Sequence, residues 1–495
     1  MVVHYRSLRE HIDALREIGE LAEVDREVDW NLEIGAITRR ICETSGPAVL
    51  FNKIKGMPGF RALGAPAAAS ARRDRPLARV ATSIGLPPET SPLEIVDTLA
   101  RAHDLKPIPP VRVASAPCKE NIVTGDDVDL MRLPAPMIHE GDGGRFLNTW
   151  GTTVTRTPEG DWVNWAISRN MLRDAKTLVG PVGASKHLGV MLANWRAVGK
   201  PMPFALAMGH DPVIPFVAGM PIRDGVNEAD FIGGYLGKPL EVVKCETVDL
   251  EVPASSEIVI EGHVSLDELD SEGPMAEFPG YLFPEHYRCP VFKVTAITHR
   301  NNAILPVVSC GKPPEENHTC WGIAIAATVL AELRRSNWPV TACYIPFDGC
   351  VHLIVVTVPH DCLKRSAHST NAAFCKAMAE FVFSTRGGAI VPRLMVVGDD
   401  IDPTSSSDVL WAMMTRCRPG GGEIDLPHLA TNPRDAFLRP DEKSAGFTTK
   451  SVLNCLRPEN WTEKTAPVTA SFAKVYPAEL QERILRDWKT GYGLP

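Results

Sequence analysis

The first regular pattern along the chain is helical. Leu8, Ile12, Leu15 and Ile18 recur on one face, Ser7-Leu8-Arg9-Glu10 reads as a capping box ahead of them, and Gly19 reads as the stop. Ile34, Ile37 and Ile41 mark a second helix. Ser91-Pro92-Leu93-Glu94 opens a third, with a cap, a proline in the first turn and an acid beyond it. From Lys106 to Pro117 there are prolines and no periodicity, so the stretch reads as a linker with a boundary near residue 115.

Beyond Asn148 the period shortens to that of strands. Segments 149–155 and 162–168 flank Thr157-Pro158-Glu159-Gly160-Asp161, a hairpin connection. Segments 257–264, 291–297 and 303–308 are further strands, the last reached through the turn Arg300-Asn301-Asn302. This region predicts a mainly antiparallel, barrel-like sheet. Helix and strand then alternate: an apolar helix over 320–335, a β-branched strand over 352–358, a helix over 372–384, a strand over 394–397 and a helix over 408–415. Such alternation argues an α/β layer. Segment 477–489 is a charged amphipathic helix suited to docking on a second subunit.

Length and composition add limits. At 100–200 residues per domain, 495 residues make about three domains. With 44% hydrophobic and 23% charged residues the chain is neither disordered, nor a coiled coil, nor collagenous. A net charge of −8 gives no basic footprint for nucleic acid or an anionic membrane. The 12 cysteines contain no CxxC, so reduced thiols in the cytoplasm are expected rather than a zinc ribbon. The charged N-terminus lacks a secretory pattern, and the apolar run from Cys320 to Ala331 is too short to span a membrane.

Two groups of residues have the makings of chemistry. Asn164, His187 and Glu228 offer oxygen and nitrogen donors that suit Mg²⁺ or Mn²⁺ better than a thiolate-seeking metal. The bland alternative is a turn-capping Asn, a satisfied His and a surface Glu. In Glu272-Gly273-Pro274-Met275-Ala276-Glu277-Phe278-Pro279, Glu277 has apolar neighbours, a setting that disfavours its charged form and suits a carboxyl proton donor. Arg169 between the two acids would hold one ionised and bind a substrate carboxylate. The alternative is a buried loop with one salt bridge. Strict strand alternation sets Asn164 and Arg169 on opposite faces, so shared work requires a bulge or a strand that ends near Ser168. Asp399-Asp400-Ile401-Asp402 reads as solvated loop or cap, and Arg418-Pro419-Gly420-Gly421-Gly422 lacks the P-loop pattern.

At Asn164-Trp165-Ala166-Ile167-Ser168-Arg169 the chain resembles the UbiD family of reversible, non-oxidative decarboxylases that use prenylated FMN. The resemblance is nearly end to end and is strongest toward the ferulic acid and pyrrole-2-carboxylate decarboxylase branch. It is carried also by Lys186-His187, Asp224-Gly225-Val226-Asn227-Glu228-Ala229, Glu272–Tyr281, Pro313–Thr319 and Val409-Leu410-Trp411-Ala412. It implies an N-terminal α/β domain (1–115), a split β-barrel that carries the flavin (116–315), a C-terminal α/β domain (316–460) and a dimerisation tail (461–495). It also implies that Asn164, His187 and Glu228 hold Mn²⁺ or Mg²⁺ against the cofactor phosphate. Trp165 and Met220 match a K⁺ region, and Ile167, Ser168 and Arg169 line the flavin. Glu272, Arg169 and Glu277 match the catalytic network, with Glu277 as proton donor to a covalent cofactor adduct after CO₂ leaves. Two departures stand out: Ser407 replaces a phosphate-contacting lysine, and Lys186 replaces a glutamine, so Lys186 is expected to restore the lost charge.

The expected partners are an aromatic carboxylic acid and CO₂, a flavin prenyltransferase that supplies the cofactor, and a second copy of the chain. Asn317, in Pro313-Pro314-Glu315-Glu316-Asn317-His318-Thr319, resembles the pyrrole-2-carboxylate branch and points to a heteroaromatic acid. Arg434 would meet a second polar substituent, the plainer alternative being a surface pair with Asp435. Other readings are a cinnamic or ferulic-type acrylic acid decarboxylase, a metal-dependent hydrolase, and a non-catalytic flavin-binding assembly protein.

Overall fold

The fold was obtained as a computed structural model that describes residues 2–183, 186–462 and 464–494. Three sheets organise it. The first is four-stranded, in the order Leu21–Val28, Ala48–Ile54, Phe60–Gly64, Ala303–Val307. Its helices Leu8–Glu17 and Glu33–Thr44 are those that the apolar spacing predicts. Ser7 accepts from the Glu10 N–H, but the Glu10 carboxylate turns to the Arg6 N–H, so the capping box is only half formed. At Ser91, ahead of helix Pro92–Ala102, the box closes in both directions.

One strand departs from the sequence reading. Ala303–Val307, expected in the antiparallel region, leaves it and pairs in parallel with Phe60–Gly64. All five of its residues are buried, which suits a strand covered on both faces rather than one side of a barrel. The proline stretch departs too. Val111–Arg112 pairs with Glu241–Lys244 in a small three-stranded sheet, and the Ile108 N–H donates to the Asp230 carbonyl, so the segment is tied down rather than free.

The second sheet has nine strands and curls into a half-barrel. The hairpin Gly151–Arg156 to Val163–Ala166 forms as expected. The two longest strands, Ile258–Glu272 and Tyr287–His299, pair antiparallel and carry Glu272 to the rim. Phe204 and Phe292 meet edge to face at 4.9 Å inside it, with Leu206, Ile258 and Ile260 buried around them. The third sheet runs Ala342–Tyr344, Leu353–Val358, Arg393–Gly398, Phe447–Cys455, Glu423–Ala430, with its three central strands parallel. Helices Gly322–Arg335, Asn371–Ser384 and Ser406–Arg416 accompany it, as the alternation requires. Asp400, expected as a solvated loop or cap residue, instead pairs with the buried Arg416 and with Arg457.

Among the described residues no helix is long and apolar enough to cross a membrane. The cysteines are free thiols, most of them buried. The last helix, Ala478–Asp487, buries none of its residues in this chain.

The long strand pair depends on a glycine. At the register shift beside Glu261, a Cβ on Gly262 would overlap the Lys293 carbonyl oxygen of the facing strand. Gly262→Ala is expected to lower the thermal unfolding midpoint by at least about 3 °C, because the clash is with backbone and cannot be relieved by a rotamer change. Calorimetry checks this, and an unchanged midpoint would contradict the close approach.

Candidate functional site

Strand Val163–Ala166 stops two residues short of Ser168. The chain then turns, so Arg169 is freed from the strand's alternation, the condition that the sequence set for Asn164 and Arg169 to serve one site. The turn is held from outside: the Ile167 N–H donates to the Ala218 carbonyl, and Asn148 Nδ2 donates to the Ser168 carbonyl at 2.8 Å. This brings the segment of Ile167 and Ser168 alongside Met220, which is buried at the end of the neighbouring helix Val213–Ala218.

Asn164, His187 and Glu228 come together. His187 is the first residue of helix His187–Ala197, and Glu228 is the first of helix Glu228–Leu236. Asn164 Oδ1 lies 3.1 Å from His187 Nδ1, and Glu228 Oε1 lies 3.5 Å from the same nitrogen. The second Glu228 oxygen accepts from the Trp165 N–H at 2.8 Å. Trp162 stands edge-on to the imidazole at 4.8 Å. Burial pushes the Glu228 carboxyl above its usual range, partly opposed by His187 and the Trp165 N–H. Asn164 Nδ2 and Trp165 Nε1 are buried without partners. Among the described residues no cluster of three His, Cys, Asp or Glu groups is poised for a metal; this trio includes an amide. A buried carboxylate, an imidazole nitrogen and an amide oxygen facing one another suit a hard divalent cation.

Two further groups, which sequence reasoning missed, stand on the outer side of His187. Asp224 Oδ1 is 2.9 Å from Nε2, and Arg386 pairs with the same Asp224 oxygen. Asp224 lies within a motif already singled out, but Arg386 comes from the turn after helix Asn371–Ser384 and has no signal in local sequence. Lys186 precedes the helix and is exposed, with its amine 6.0 Å from the Trp321 ring centroid. Ser407 is exposed and bonded to Ser405 Oγ.

The second group forms a row of alternating charge. Arg169 binds Glu272 through Nε at 2.8 Å and Nη2 at 3.3 Å, and pairs with Glu277 through Nη1 at 2.7 Å. Burial works against the guanidinium, but Glu277 and Glu272 outweigh it and hold its pKa above the ordinary range. Arg434 Nε reaches the same Glu277 oxygen at 2.9 Å, and its guanidinium lies 4.1 Å over the Tyr287 ring. The expected apolar setting of Glu277 is therefore corrected: its sequence neighbours are apolar, but two guanidinium groups face its carboxylate. The plainer alternative for Arg434 is also overturned, since Asp435 binds Thr431 and His352 instead. Arg169, Glu272, Glu277, Tyr287 and Arg434 line a narrow recess that their own ion pairs fill. Asn317 is not among the residues that line it; its Nδ2 lies 3.3 Å from Cys310 Sγ, a thiol within electrostatic reach of Glu277 and Arg169.

Comparison with known proteins gives a consistent picture. The 3-octaprenyl-4-hydroxybenzoate carboxy-lyase N-terminal domain matches residues 12–99, the Rift-related domain matches 110–313, and the C-terminal domain matches 318–455. The chain is 42% identical over 488 residues to the pyrrole-2-carboxylic acid decarboxylase of Pseudomonas aeruginosa, covering 98% of each. It is 35% identical over 489 residues to a ferulic acid decarboxylase of Saccharomyces cerevisiae, covering 97% of each. Among solved structures, the closed form of the Sedimentibacter hydroxybenzoicus vanillic acid decarboxylase superposes with a TM-score of 0.84 at 27% identity, covering 98% of this chain and 99% of that one. The UbiD-class enzyme HmfF from Pelotomaculum thermopropionicum, in complex with FMN, gives 0.80 at 27% identity, covering 97% and 100%.

The donor set around His187 is open to a direct test. Mn²⁺ added at about 100 times its Kd is expected to stabilise the metal-free protein by about 2.7 kcal/mol. Glu228→Ala should abolish the rise in unfolding midpoint. A wild type that shows no shift with Mn²⁺ or Mg²⁺ would count against the site.

Proposed function

The chain belongs to the UbiD family of carboxy-lyases, and from that premise we propose that it decarboxylates a heteroaromatic carboxylic acid with prenylated FMN as cofactor. The carboxy-lyase match sets aside the readings as a metal-dependent hydrolase or a non-catalytic assembly protein. The observation that carries the finer reading is the row Glu272–Arg169–Glu277 at the recess, beside the Asn164/His187/Glu228 donor set.

When bound, the cofactor supplies the electron sink that accepts the pair left by departing CO₂. The protein's part is to bind, orient and move a proton. Arg169, held from behind by Glu272, presents Nη1 to the recess, where a substrate carboxylate competes with Glu277 for it. Both guanidiniums address Oε1 of Glu277, which leaves Oε2 to carry the proton. Loss of CO₂ removes the substrate's negative charge, and Glu277 then protonates the carbon that held it.

Mn²⁺ or Mg²⁺ at Asn164, His187 and Glu228 would join the protein to the cofactor phosphate. The positive groups beside it are Lys186 and Arg386, which supports the view that Lys186 offsets the loss of a lysine at Ser407. A K⁺ near Trp165 and Met220 fits the family pattern, as do Ile167 and Ser168 along the flavin. The relative at 42% identity is a pyrrole-2-carboxylic acid decarboxylase, and Asn317, joined through Cys310 to the surroundings of Glu277 and Arg169, supports a polar aromatic substrate here. Arg434, already in the recess, would meet a second polar substituent on the ring. Domain divisions near 115, 315 and 460, a homodimer through the tail, and residence in the cytoplasm with reduced thiols complete the proposal. Val475, Tyr476 and Leu485, all exposed on the tail, support the dimer.

With protein co-expressed with a flavin prenyltransferase, CO₂ release from pyrrole-2-carboxylate, indole-3-carboxylate, furoate and cinnamate tests the assignment. The heteroaromatic acids are expected to exceed cinnamate in kcat/KM; a preference for cinnamate returns the chain to the acrylic acid alternative. Glu277→Gln keeps the shape but cannot release a proton. It should lower kcat by at least about 100-fold while flavin and metal still bind. Near-normal turnover would remove the proton-donor role.

A further inference from the structure

We infer that His352 is a positioning residue: it holds Arg434 on Glu277 from behind, so that a cation stays at the proton donor after a substrate carboxylate has taken Arg169. This rests on the decarboxylase reading above, in which Glu277 delivers the proton.

The backbone that leads to His352 is strained. Cys350 and Val351 both have positive φ, at 51° and 59°. The left-handed region is unfavourable for a residue with a Cβ, and most of all for a β-branched one. Such a conformation persists only where its surroundings hold it, and residues of this kind gather at functional sites. Here they turn the chain just ahead of strand Leu353–Val358, with Val351 buried. The turn brings His352 Nδ1 to 2.7 Å from the Cys350 carbonyl oxygen.

From that place the ring touches both sides of the seam between the third sheet and the half-barrel. On one side Nε2 lies 3.2 Å from Oδ1 of Asp435, the residue after Arg434. Both ring nitrogens thus face acceptors, and the ring donates to both only as the imidazolium. Asp435 also accepts from Thr431 Oγ1 at 2.8 Å, and its N–H donates to the Asn432 carbonyl. The Arg434 N–H donates to Asn432 Oδ1 at 3.0 Å. The turn that carries Arg434 is therefore closed on itself and tied to His352. On the other side the ring stacks at 5.7 Å on Phe278, the residue after Glu277. Phe278 is fixed further by Trp321, edge-on at 5.2 Å, and by His318 Nε2, 2.9 Å from its carbonyl oxygen. His352 stands one residue behind each partner of the Arg434–Glu277 pair.

That pair needs support. An arginine has many rotamers to lose, and Arg434 sits in the loop between strand Glu423–Ala430 and helix Pro440–Ala445. In the proposed reaction the substrate carboxylate draws Arg169 off Glu277. When Glu277 then gives up its proton a carboxylate forms, and Arg434 Nε, 2.9 Å from Oε1, is the cation already in place to stabilise it. A cation that must first find its place would do so late.

The test compares kcat and KM for pyrrole-2-carboxylate in the holoenzyme of the wild type, His352→Phe, Arg434→Met and the double variant. His352→Phe keeps a ring against Phe278 but loses both nitrogens. It should lower kcat at least about fivefold and leave KM within about twofold, because Arg169 is held by Glu272 and not by His352. Arg434→Met should share the fall, and kcat of the double variant should stay within about twofold of Arg434→Met alone. The inference is overturned by a kcat within about twofold of wild type in His352→Phe, by a KM that rises as kcat falls, by a fall that Arg434→Met does not share, or by a double variant that multiplies the two losses. The crystal structure of His352→Phe decides without turnover. Arg434 Nε should lie beyond about 4 Å from Glu277, outside ion-pair range, and a contact kept at its wild-type distance overturns the inference. CO₂ release by the wild type from none of the acids would instead sink the decarboxylase reading beneath it. Should His352→Phe fail to fold, Asp435→Asn, which keeps the shape and removes the charge, is judged by the same two measurements.

Discussion

A buried guanidinium cannot be left alone. Desolvating Arg169 costs several kcal/mol unless carboxylates meet it, and here Glu272 is fully buried behind it and Glu277 lies in front. That requirement constrains the architecture. Glu272 must arrive at the end of strand Ile258–Glu272, so the long pair with Tyr287–His299 has to hold its register to the rim. Arg169 must leave the strand that carries Asn164, so that strand must end at Ala166. The charges extend outward from there: Arg434 meets Glu277, and Lys443 meets Glu285 on the wall of the same recess. Three carboxylates thus stand with three cations, and a substrate carboxylate that enters must displace one of its own kind. In the proposed reaction the displaced Glu277 stays in the recess, so the added negative charge is offset only when Glu277 takes up a proton, the one it later delivers.

Much of this was legible in the chain, and the reasons are local. Helix Pro92–Ala102 could be read from Ser91 to Glu94 because a capping box is completed within one turn. The hairpin at Thr157–Asp161 could be read because a turn and its flanking strands are contiguous. Glu272 and Glu277 stood out because they lie five residues apart on one short stretch of sequence. What escaped depended on partners distant in sequence. Ala303–Val307 has an ordinary strand pattern, and nothing in its own residues says that its neighbour is Phe60–Gly64 rather than the strand just before it. The apolar neighbours of Glu277 suggested a carboxyl in a greasy setting. Side chains next to one another in an extended loop point apart, and the groups that face Glu277 come from 169 and 434. Arg386 beside Asp224 has the same origin.

The two clusters are also mechanically joined. Asn164 and Arg169 share one short stretch of backbone, pinned by Asn148 at Ser168 and by the Ala218 carbonyl at Ile167. Glu228 reaches the same stretch through the Trp165 N–H, so the carboxylate that faces His187 also fixes the strand leading to Arg169. His187 and Glu228 each begin a helix, where unpaired backbone N–H groups make the field positive. That field favours the Glu228 carboxylate and any anion nearby, and it opposes a cation unless the carboxylate outweighs it. An ionised Glu228 is therefore the condition for a metal there. A metal, in turn, is the natural counter-charge for a carboxylate that burial would otherwise protonate. Each member of the pair stabilises the charged form of the other. The same stretch of backbone passes that order on to the residue that would receive the substrate.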